Sequence, residues 1–244
     1  MTSTTDKKGR LGNQIIRNLA VSLIAQKHDL KVSYSSKKSI DDLGIKLYSG
    51  TNVHKKTNKL HDDNFFEVYN SSDIDYNLGP NGNFFQSQSI IKVLYEHLQS
   101  DEVKSNIMEC NPYKDRYNNN NDLYIHVRLG DAERFNPGIQ YYKKAIEMNK
   151  FDNVYISTDS KCHRTIKELL KKYPNASLIE YNEVNTIQFA STCKNVILSH
   201  GSFSAIIGYL SYFSTVYYPK YRIGGKQMWH GDMFSIDGWN EIDL

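Results

Sequence analysis

Short apolar runs alternate with helical stripes along the second half of the chain. The first run, residues 123–127, consists of strand-forming side chains and ends at a Gly-Asp pair. Between the runs, apolar residues recur at helical spacing. Strands separated by helices favour a parallel sheet, because a parallel neighbour is reached only through a crossover connection. The further predicted strands are residues 153–157, 177–179, 196–198 and 215–218, and the predicted helices are residues 139–148, 165–173, 186–193 and 202–212.

The first half of the chain has a weaker pattern around one clear helix. A glycine turn at residues 9–12 leads into apolar positions at helical spacing, which continue to about His28. The chain between residues 45 and 83 is mostly polar and predicts only short strands between loops. The other elements predicted in this half are strands at residues 2–5, 31–35 and 65–69 and helices at residues 39–43 and 90–108.

Length and local composition suggest two domains. A chain of 244 residues suits one large domain or two of about 100 to 130 residues. The four asparagines at residues 118–121 are the single low-complexity patch and mark the predicted boundary. We therefore expect a first domain at residues 1–117, a second at residues 122–225 and a tail at residues 226–244 that packs back across the domains.

Bulk composition narrows the classes of partner. The net charge of +3 does not call for a nucleic-acid partner. The three cysteines lie far apart without metal-binding spacing, which fits a reducing compartment and predicts a cytoplasmic protein. No apolar run reaches membrane-spanning length. Nothing in the composition indicates an oligomeric state.

The candidate functional residues of the second half lie where strand 123–127 ends. That strand delivers His126 and Arg128 to its carboxyl end, with Asp131 just beyond, and this edge of an open α/β sheet is where ligands bind. A guanidinium fork suits a phosphate, although a simple salt bridge between Arg128 and Asp131 is the alternative. Asp159 and residues 199–204 follow two other predicted strands and should converge on the same edge.

The first half offers two weaker signals. The glycine turn at residues 9–12 would aim backbone N–H groups and a helix dipole at an anion, although a plain tight turn is equally consistent. The spacing matches neither a dinucleotide fingerprint nor a P-loop. Asp73-Ile74-Asp75 has the form of a metal–nucleotide motif, because two carboxylates can bridge a divalent cation to a diphosphate. No clear strand precedes it, so this interpretation stays open.

Six motifs in order resemble the fucosyltransferase superfamily, most closely the alpha-1,2-fucosyltransferases. Residues 9–14 (GRLGNQ) look like the family's GxLGNQ opening, and residues 126–131 (HVRLGD) fit its HxRxGD motif. The other matching segments are residues 84–87 (FFQS), 140–146 (QYYKKAI), 156–159 (ISTD) and 193–204, which ends in Ser-Phe-Ser. With Pro219 and Trp239, which also fit, the resemblance covers the chain from about residue 9 to residue 240.

The resemblance implies a GT-B glycosyltransferase, an α/β fold of two Rossmann-like domains whose parallel sheets face a cleft, with no metal or other cofactor required. The first domain would serve the glycan acceptor and the second would hold GDP-fucose. Arg128 and Asn13 would be catalytic, and Gly12 and Asn13 would reach the diphosphate and sugar. The remaining donor-binding residues implied by the resemblance are His126, Arg128, Asp131, Asp159, Ser202, Phe203 and Ser204.

The implied reaction is inverting transfer of L-fucose onto a glycan hydroxyl. Charge grows on the departing diphosphate, where Arg128 and the helix starts at Gly12 and Ser202 would stabilise it from one shared crevice. The general base stays open among Glu133, Asp63, Asp131 and His61.

The sequence departs from the family pattern at several positions, so alternative functions stay open. Residues 205–207 replace the usual bulky aromatic pair, His200-Gly201 replaces Asn-Ser, and Trp229-His230-Gly231-Asp232 matches no motif of the family. One alternative is the same fold with another nucleotide-activated deoxysugar. Others are a non-catalytic glycan- or nucleotide-binding module and a structural domain without a small ligand.

Overall fold

In a computed structural model the chain forms two compact units, Met1–Ile107 and Met108–Leu244. The structure describes residues 2–80, 82–223, 226–227 and 229–243. The division between residues 107 and 108 lies before the asparagine run at residues 118–121 that marks the boundary in the sequence, and the predicted domain bounds stay a prediction. Residues 108–117 thus belong to the second unit.

The first unit contains two β-α-β segments, each with a parallel pair of strands. Ser3 links the two pairs, because its Oγ accepts a hydrogen bond of 2.8 Å from the backbone N–H of Leu78. The elements are β1 (Ser3–Thr4), α1 (Leu11–His28), β2 (Val32–Ser33), α2 (Lys37–Asp42), β3 (Lys56–Lys59), α3 (Phe65–Asn70), β4 (Tyr76–Gly79) and α4 (Gln88–Gln99), followed by α5 (Asp101–Cys110), whose last three residues belong to the second unit.

Two predictions for the first unit are wrong. Residues 65–69, predicted as a strand, lie in α3, where the rings of Phe65 and Tyr69 stack with centroids 5.6 Å apart. Residues four apart meet on one helix face, so the aromatic run that suggested a strand instead packs as a helical pair. The single helix predicted for residues 90–108 is divided into α4 and α5 by Ser100, whose φ of −61° and ψ of 143° are extended.

The second unit is built on a six-stranded parallel sheet with the order β12-β9-β8-β5-β6-β7. Numbered along this unit, the order is 3-2-1-4-5-6, which is the order of dinucleotide-binding Rossmann folds. The predicted α/β class and parallel sheet are therefore confirmed. The elements are β5 (Leu123–Val127), α6 (Ile139–Glu147), β6 (Val154–Thr158), α7 (Arg164–Lys172), β7 (Ala176–Leu178), α8 (Glu183–Ala190), β8 (Asn195–Ile197), α9 (Ser202–Tyr209), β9 (Thr215–Pro219), β10 (Arg222–Ile223), β11 (Lys226–Gln227) and β12 (Asn240–Ile242).

The central strand β5 explains why its sequence is so apolar. All five of its residues are buried, as expected for a parallel strand whose two faces are both covered by helices. Leu123, Ile125 and Val127 belong to the main core, together with Tyr141 and Tyr142 from α6. The core thus holds the end of β5 in a fixed position.

The C-terminal segment, which the sequence predicts as a tail, contributes a strand to the sheet. Its last strand, β12, pairs in parallel with β9 and completes the sheet at one edge. Its short, partly polar sequence gives no strand signal, since an edge strand needs to bury only part of its surface. Within the described parts of the chain, no helix combines the length and apolar character needed to cross a membrane.

Candidate functional site

The order of the strands in the sheet reverses between β5 and β8. From β5 the chain proceeds to β6 on one side, and from β8 it proceeds to β9 on the other. In open α/β sheets, ligands bind where the order reverses in this way. The segments that follow these two strands contain most of the residues singled out in the sequence.

Arg128 follows β5, and two carboxylates hold its guanidinium. Its terminal nitrogens donate to Asp131 and Asp159, and its side chain is 15% exposed. Asp159 also accepts a hydrogen bond of 2.9 Å from the backbone N–H of Leu129. The salt bridge that the sequence offered as the alternative is thus present, and a second acid from the end of β6 extends it.

Gly130 permits the close approach between this turn and Asp159. Its φ is +31°, and a Cβ atom there would lie 2.5 Å from an oxygen of the Asp159 carboxylate. Any larger residue would push Asp159 away from Arg128. This close approach explains why glycine precedes Asp131 at the end of the strand.

His126 lies beneath the edge and supports the start of α9. Its Nδ1 shares a hydrogen bond with Ser204 Oγ, which also accepts a bond of 3.1 Å from the backbone N–H of Ser199. The Phe203 ring lies 5.2 Å from the imidazole. Burial lowers the pKa of His126 to about 4, with Asp159 acting to raise it and Arg128 to lower it. His126 is therefore neutral at pH 7.

The N-terminus of α9 is the second anion-binding feature at this edge. Gly201 precedes the helix with a φ of +110°, and no side chain caps the helix start. The first N–H groups of a helix have no partner within the helix and carry the positive end of its dipole. Ser202 and Phe203 thus present backbone donors of the kind that bind phosphate groups.

A polar link, missed in the sequence analysis, joins the segments that follow β5 and β8. Asn136 donates through Nδ2 to the Arg128 carbonyl at 2.7 Å and to the Tyr142 hydroxyl at 2.9 Å. Tyr142 in turn donates to Ser199 Oγ at 3.1 Å. Burial raises the pKa of Tyr142 well above its usual range, so the hydroxyl stays protonated. In the sequence, the turn residues 136–138 were the one available signal for Asn136.

A cluster of aromatic side chains also lies at this edge. The Phe135 ring centroid is 4.9 Å from that of Trp229 and 5.8 Å from that of His230. Trp229 ring carbons lie 3.5 Å from the position of a Cβ atom on Gly201. The Trp229-His230 motif, unexplained in the sequence, therefore contacts the segment that leads into α9.

Gly12 and Asn13 lie in the first turn of α1, in the first unit. Asn13 Oδ1 accepts a hydrogen bond of 2.7 Å from Gln86 Nε2. Gly9 has a φ of +78°, and a Cβ atom there would lie 2.4 Å from Asn13 Nδ2. The structure thus joins two of the motifs within this unit. The predicted role of Gly12 and Asn13 toward a diphosphate stays a prediction.

The base candidates have ordinary surroundings. Glu133 pairs with His163 Nε2 at 2.9 Å, and Asp131 pairs with Arg128. His61 Nδ1 lies 3.1 Å from the Asn83 side-chain nitrogen, and Asp63 is exposed. None of these contacts singles out a base. Asp73 and Asp75 line an open cavity in the first unit, and the described residues contain no set of three or more acidic, cysteine or histidine side chains arranged to hold a metal.

No protein-family model and no curated protein matches this chain. Among solved structures, it is similar to E. coli heptosyltransferase WaaC with ADP-2-deoxy-2-fluoro heptose, at a TM-score of 0.49 and 7% identity, covering 99% of this chain and 93% of that one. It is also similar to E. coli heptosyltransferase WaaC with ADP, at a TM-score of 0.42 and 9% identity, covering 90% of this chain and 87% of that one. At these scores and identities, the likeness assigns this chain neither a family nor a ligand.

Proposed function

We propose that this chain is a glycosyltransferase of GT-B architecture that binds a nucleoside diphosphate sugar at the carboxyl edge of its second unit. One observation carries the proposal: Arg128 and the uncapped start of α9 follow β5 and β8, the two strands that flank the reversal in strand order. A charged guanidinium and a helix N-terminus both favour phosphate oxygens. The first unit then serves the acceptor.

A diphosphate can bind Arg128 by displacing one of the two carboxylates that pair with its guanidinium. The Asp131 side chain is 65% exposed and the Asp159 side chain is 20% exposed. Asp159 is also fixed by the N–H of Leu129, so Asp131 is the partner that a phosphate displaces. Asp159 keeps one side of the guanidinium in place while the other side binds the ligand.

The same groups account for catalysis by charge stabilisation. In inverting transfer, an acceptor hydroxyl attacks the anomeric carbon and negative charge grows on the departing diphosphate. Arg128 and the backbone donors of Ser202 and Phe203 stabilise that charge in place, because they are oriented before the reaction begins. The general base is still open among the four residues named above.

The motif series supports GDP-fucose as donor and an alpha-1,2-fucosyltransferase-like reaction. The departure at residues 205–207 does not weaken this choice, since Ala205, Ile206 and Ile207 are fully buried in α9. Their replacement changes helix packing and leaves the ligand-facing start of the helix unchanged. Another nucleotide-activated deoxysugar on the same fold remains the second candidate, because the sequence of the chain departs from the family pattern at residues 200–201 and 205–207.

A nucleotide and donor panel tests the proposal. We expect GDP to bind more tightly than UDP or ADP in calorimetric titrations, and GDP-fucose to be turned over when candidate glycan acceptors are present. In a thermal-shift assay, a ligand at about 100 times its Kd adds about 2.7 kcal/mol of stability. Binding without turnover of any donor would favour a non-catalytic module. Absence of any nucleotide effect would contradict the proposal.

A further inference from the structure

The aromatic cluster of Phe135, Trp229 and His230 has no part in the charge stabilisation proposed above. Phe135 and Trp229 are half-buried, and His230 is exposed. Large aromatic side chains at the edge of a binding crevice supply ring faces for flat ligands. Part of each ring is therefore accessible to a ligand. The position of the cluster determines which part of a bound ligand it contacts.

Both sides of the phosphate-binding edge are joined to this cluster. Phe135 directly precedes Asn136, whose side chain holds the Arg128 carbonyl at 2.7 Å. Trp229 lies against Gly201, the residue before the first turn of α9. A diphosphate held between Arg128 and α9 would therefore have its attached groups close to these rings.

The arrangement of the rings favours an aromatic ligand over a sugar. Phe135 and Trp229 meet with centroids 4.9 Å apart and planes at 69°, so they form a corner. A planar ring can stack on one wall of such a corner and present its edge to the other, and both geometries are favourable between aromatic groups. A puckered sugar matches only one wall. The Arg134 guanidinium lies 4.6 Å from the Phe135 ring centroid, which adds a cation beside that wall.

We infer that Trp229 and Phe135 form the surface on which the nucleobase of the donor stacks. This inference rests on the proposed function, because it places the base of the same nucleotide whose diphosphate Arg128 and α9 hold. Trp229 supplies the stacking face, and Phe135 supplies the perpendicular wall. The Trp229-His230 segment thus gains a role that the motif series does not assign to it.

Two probes separate the base from the phosphates. GDP and inorganic pyrophosphate are titrated by calorimetry into the wild-type chain, Trp229→Ala and Trp229→Phe. Loss of base stacking should weaken GDP binding about tenfold in Trp229→Ala, with most of the affinity restored in Trp229→Phe. Pyrophosphate carries no base, so its affinity should be the same in all three proteins.

Tryptophan fluorescence gives an independent readout. The chain has two tryptophans, and the second, Trp239, packs against Tyr209 and Tyr218. GDP should quench the wild-type emission through Trp229. In Trp229→Phe the quenching should disappear while calorimetry still detects GDP.

The outcomes distinguish this inference from the proposal beneath it. If GDP binds the wild type and Trp229→Ala equally well, the stacking surface is refuted and the phosphate site stands. If Trp229→Ala loses GDP and pyrophosphate to the same extent, Trp229 supports the α9 segment and does not contact the base. If the wild type binds neither probe, the proposed function fails and this inference fails with it.

Discussion

Two arginines, Arg17 in the first unit and Arg128 in the second, show how the same side chain serves two purposes. Arg17 is fully buried, and each of its five N–H groups has an acceptor. These acceptors are one Asp6 carboxylate oxygen and the backbone carbonyls of Asp6, Lys8, Pro80 and Asn83. Arg128 is partly exposed and donates to the side chains of Asp131 and Asp159.

The two arginines differ in whether a ligand can replace one of their hydrogen-bond acceptors. Backbone carbonyls are fixed by the fold, so Arg17 fastens the segment before α1 to the segment after β4 and cannot turn to a ligand. A half-exposed carboxylate such as Asp131 can rotate into water at little cost, because surface ion pairs are worth about 1 kcal/mol or less. Arg17 is therefore a structural clamp, whereas Arg128 can exchange one carboxylate for a phosphate.

The largest expected effect is on folding, at Arg17. Arg17→Ala removes all five hydrogen bonds by which the buried guanidinium fastens the two segments, including the charged one to Asp6, and hydrogen bonds to charged groups contribute more than neutral ones. We expect the free energy of unfolding in urea to fall by about 3 kcal/mol or more.

Arg17→Lys is the matched control, because it keeps the charge but offers three donors where arginine offers five. It should fall between the wild type and Arg17→Ala. Equal stability of all three proteins would contradict the clamp.

Next in size is the loss of activity at Arg128. Removing one preorganised donor to a developing anion costs about 3 kcal/mol, or roughly a hundredfold or more in rate. Arg128→Ala should thus nearly abolish sugar transfer, measured as release of the nucleoside diphosphate, while circular dichroism shows an intact fold.

Arg164→Ala is the control for a change of charge alone, since the Arg164 side chain is 90% exposed on α7. Its transfer rate should match the wild type. Near-normal turnover in Arg128→Ala would remove Arg128 from the mechanism and leave it as a second structural arginine.

A smaller effect should separate the two carboxylates on Arg128. Asp159→Asn weakens the contact that holds the guanidinium, so pyrophosphate affinity should fall about tenfold. Asp131→Asn removes the competitor that a phosphate must displace, so affinity should rise about threefold. Both are measured by calorimetry at one ionic strength. The same direction of change in both variants would contradict the exchange of Asp131.

The smallest effect concerns His126 and pH. Its pKa of about 4 in the folded chain lies below the ordinary value of 6.5 because it is buried. The unfolded chain binds the proton first, so this contribution to stability is complete above pH 6.5 and is lost as the pH falls toward 4. Arg128 adds to the lowering, so in Arg128→Ala the NMR titration of His126 should move to higher pH. An unchanged titration, or a shift to lower pH, would contradict this effect of Arg128 on the imidazole.

The contrast between the arginines also shows what the sequence alone could predict. Arg128 was predictable because a strong strand signal and a Gly-Asp pair place it at the carboxyl edge of a sheet. Arg17 lies within an amphipathic helix, where an arginine is usually exposed. Two of its acceptors, the carbonyls of Pro80 and Asn83, lie 63 and 66 positions along the chain. Local patterns cannot report such pairs.

Other elements follow the same rule. The central strands β5 and β8 were predicted because every residue in them is buried, which gives short continuous apolar runs. β12 was missed because two of its three residues are exposed polar side chains, and α3 was predicted as a strand because its aromatic residues have a strong strand preference. Asn136 and Trp229 reach the site through tertiary contacts, so no spacing in the sequence marks them.

The most direct test of the central claim is a crystal structure of the chain with GDP. We expect the diphosphate at the carboxyl ends of β5 and β8, with Arg128 released from Asp131 and the N–H groups of Ser202 and Phe203 donating to phosphate oxygens. A diphosphate bound elsewhere, with Arg128 still paired to both Asp131 and Asp159, would contradict it.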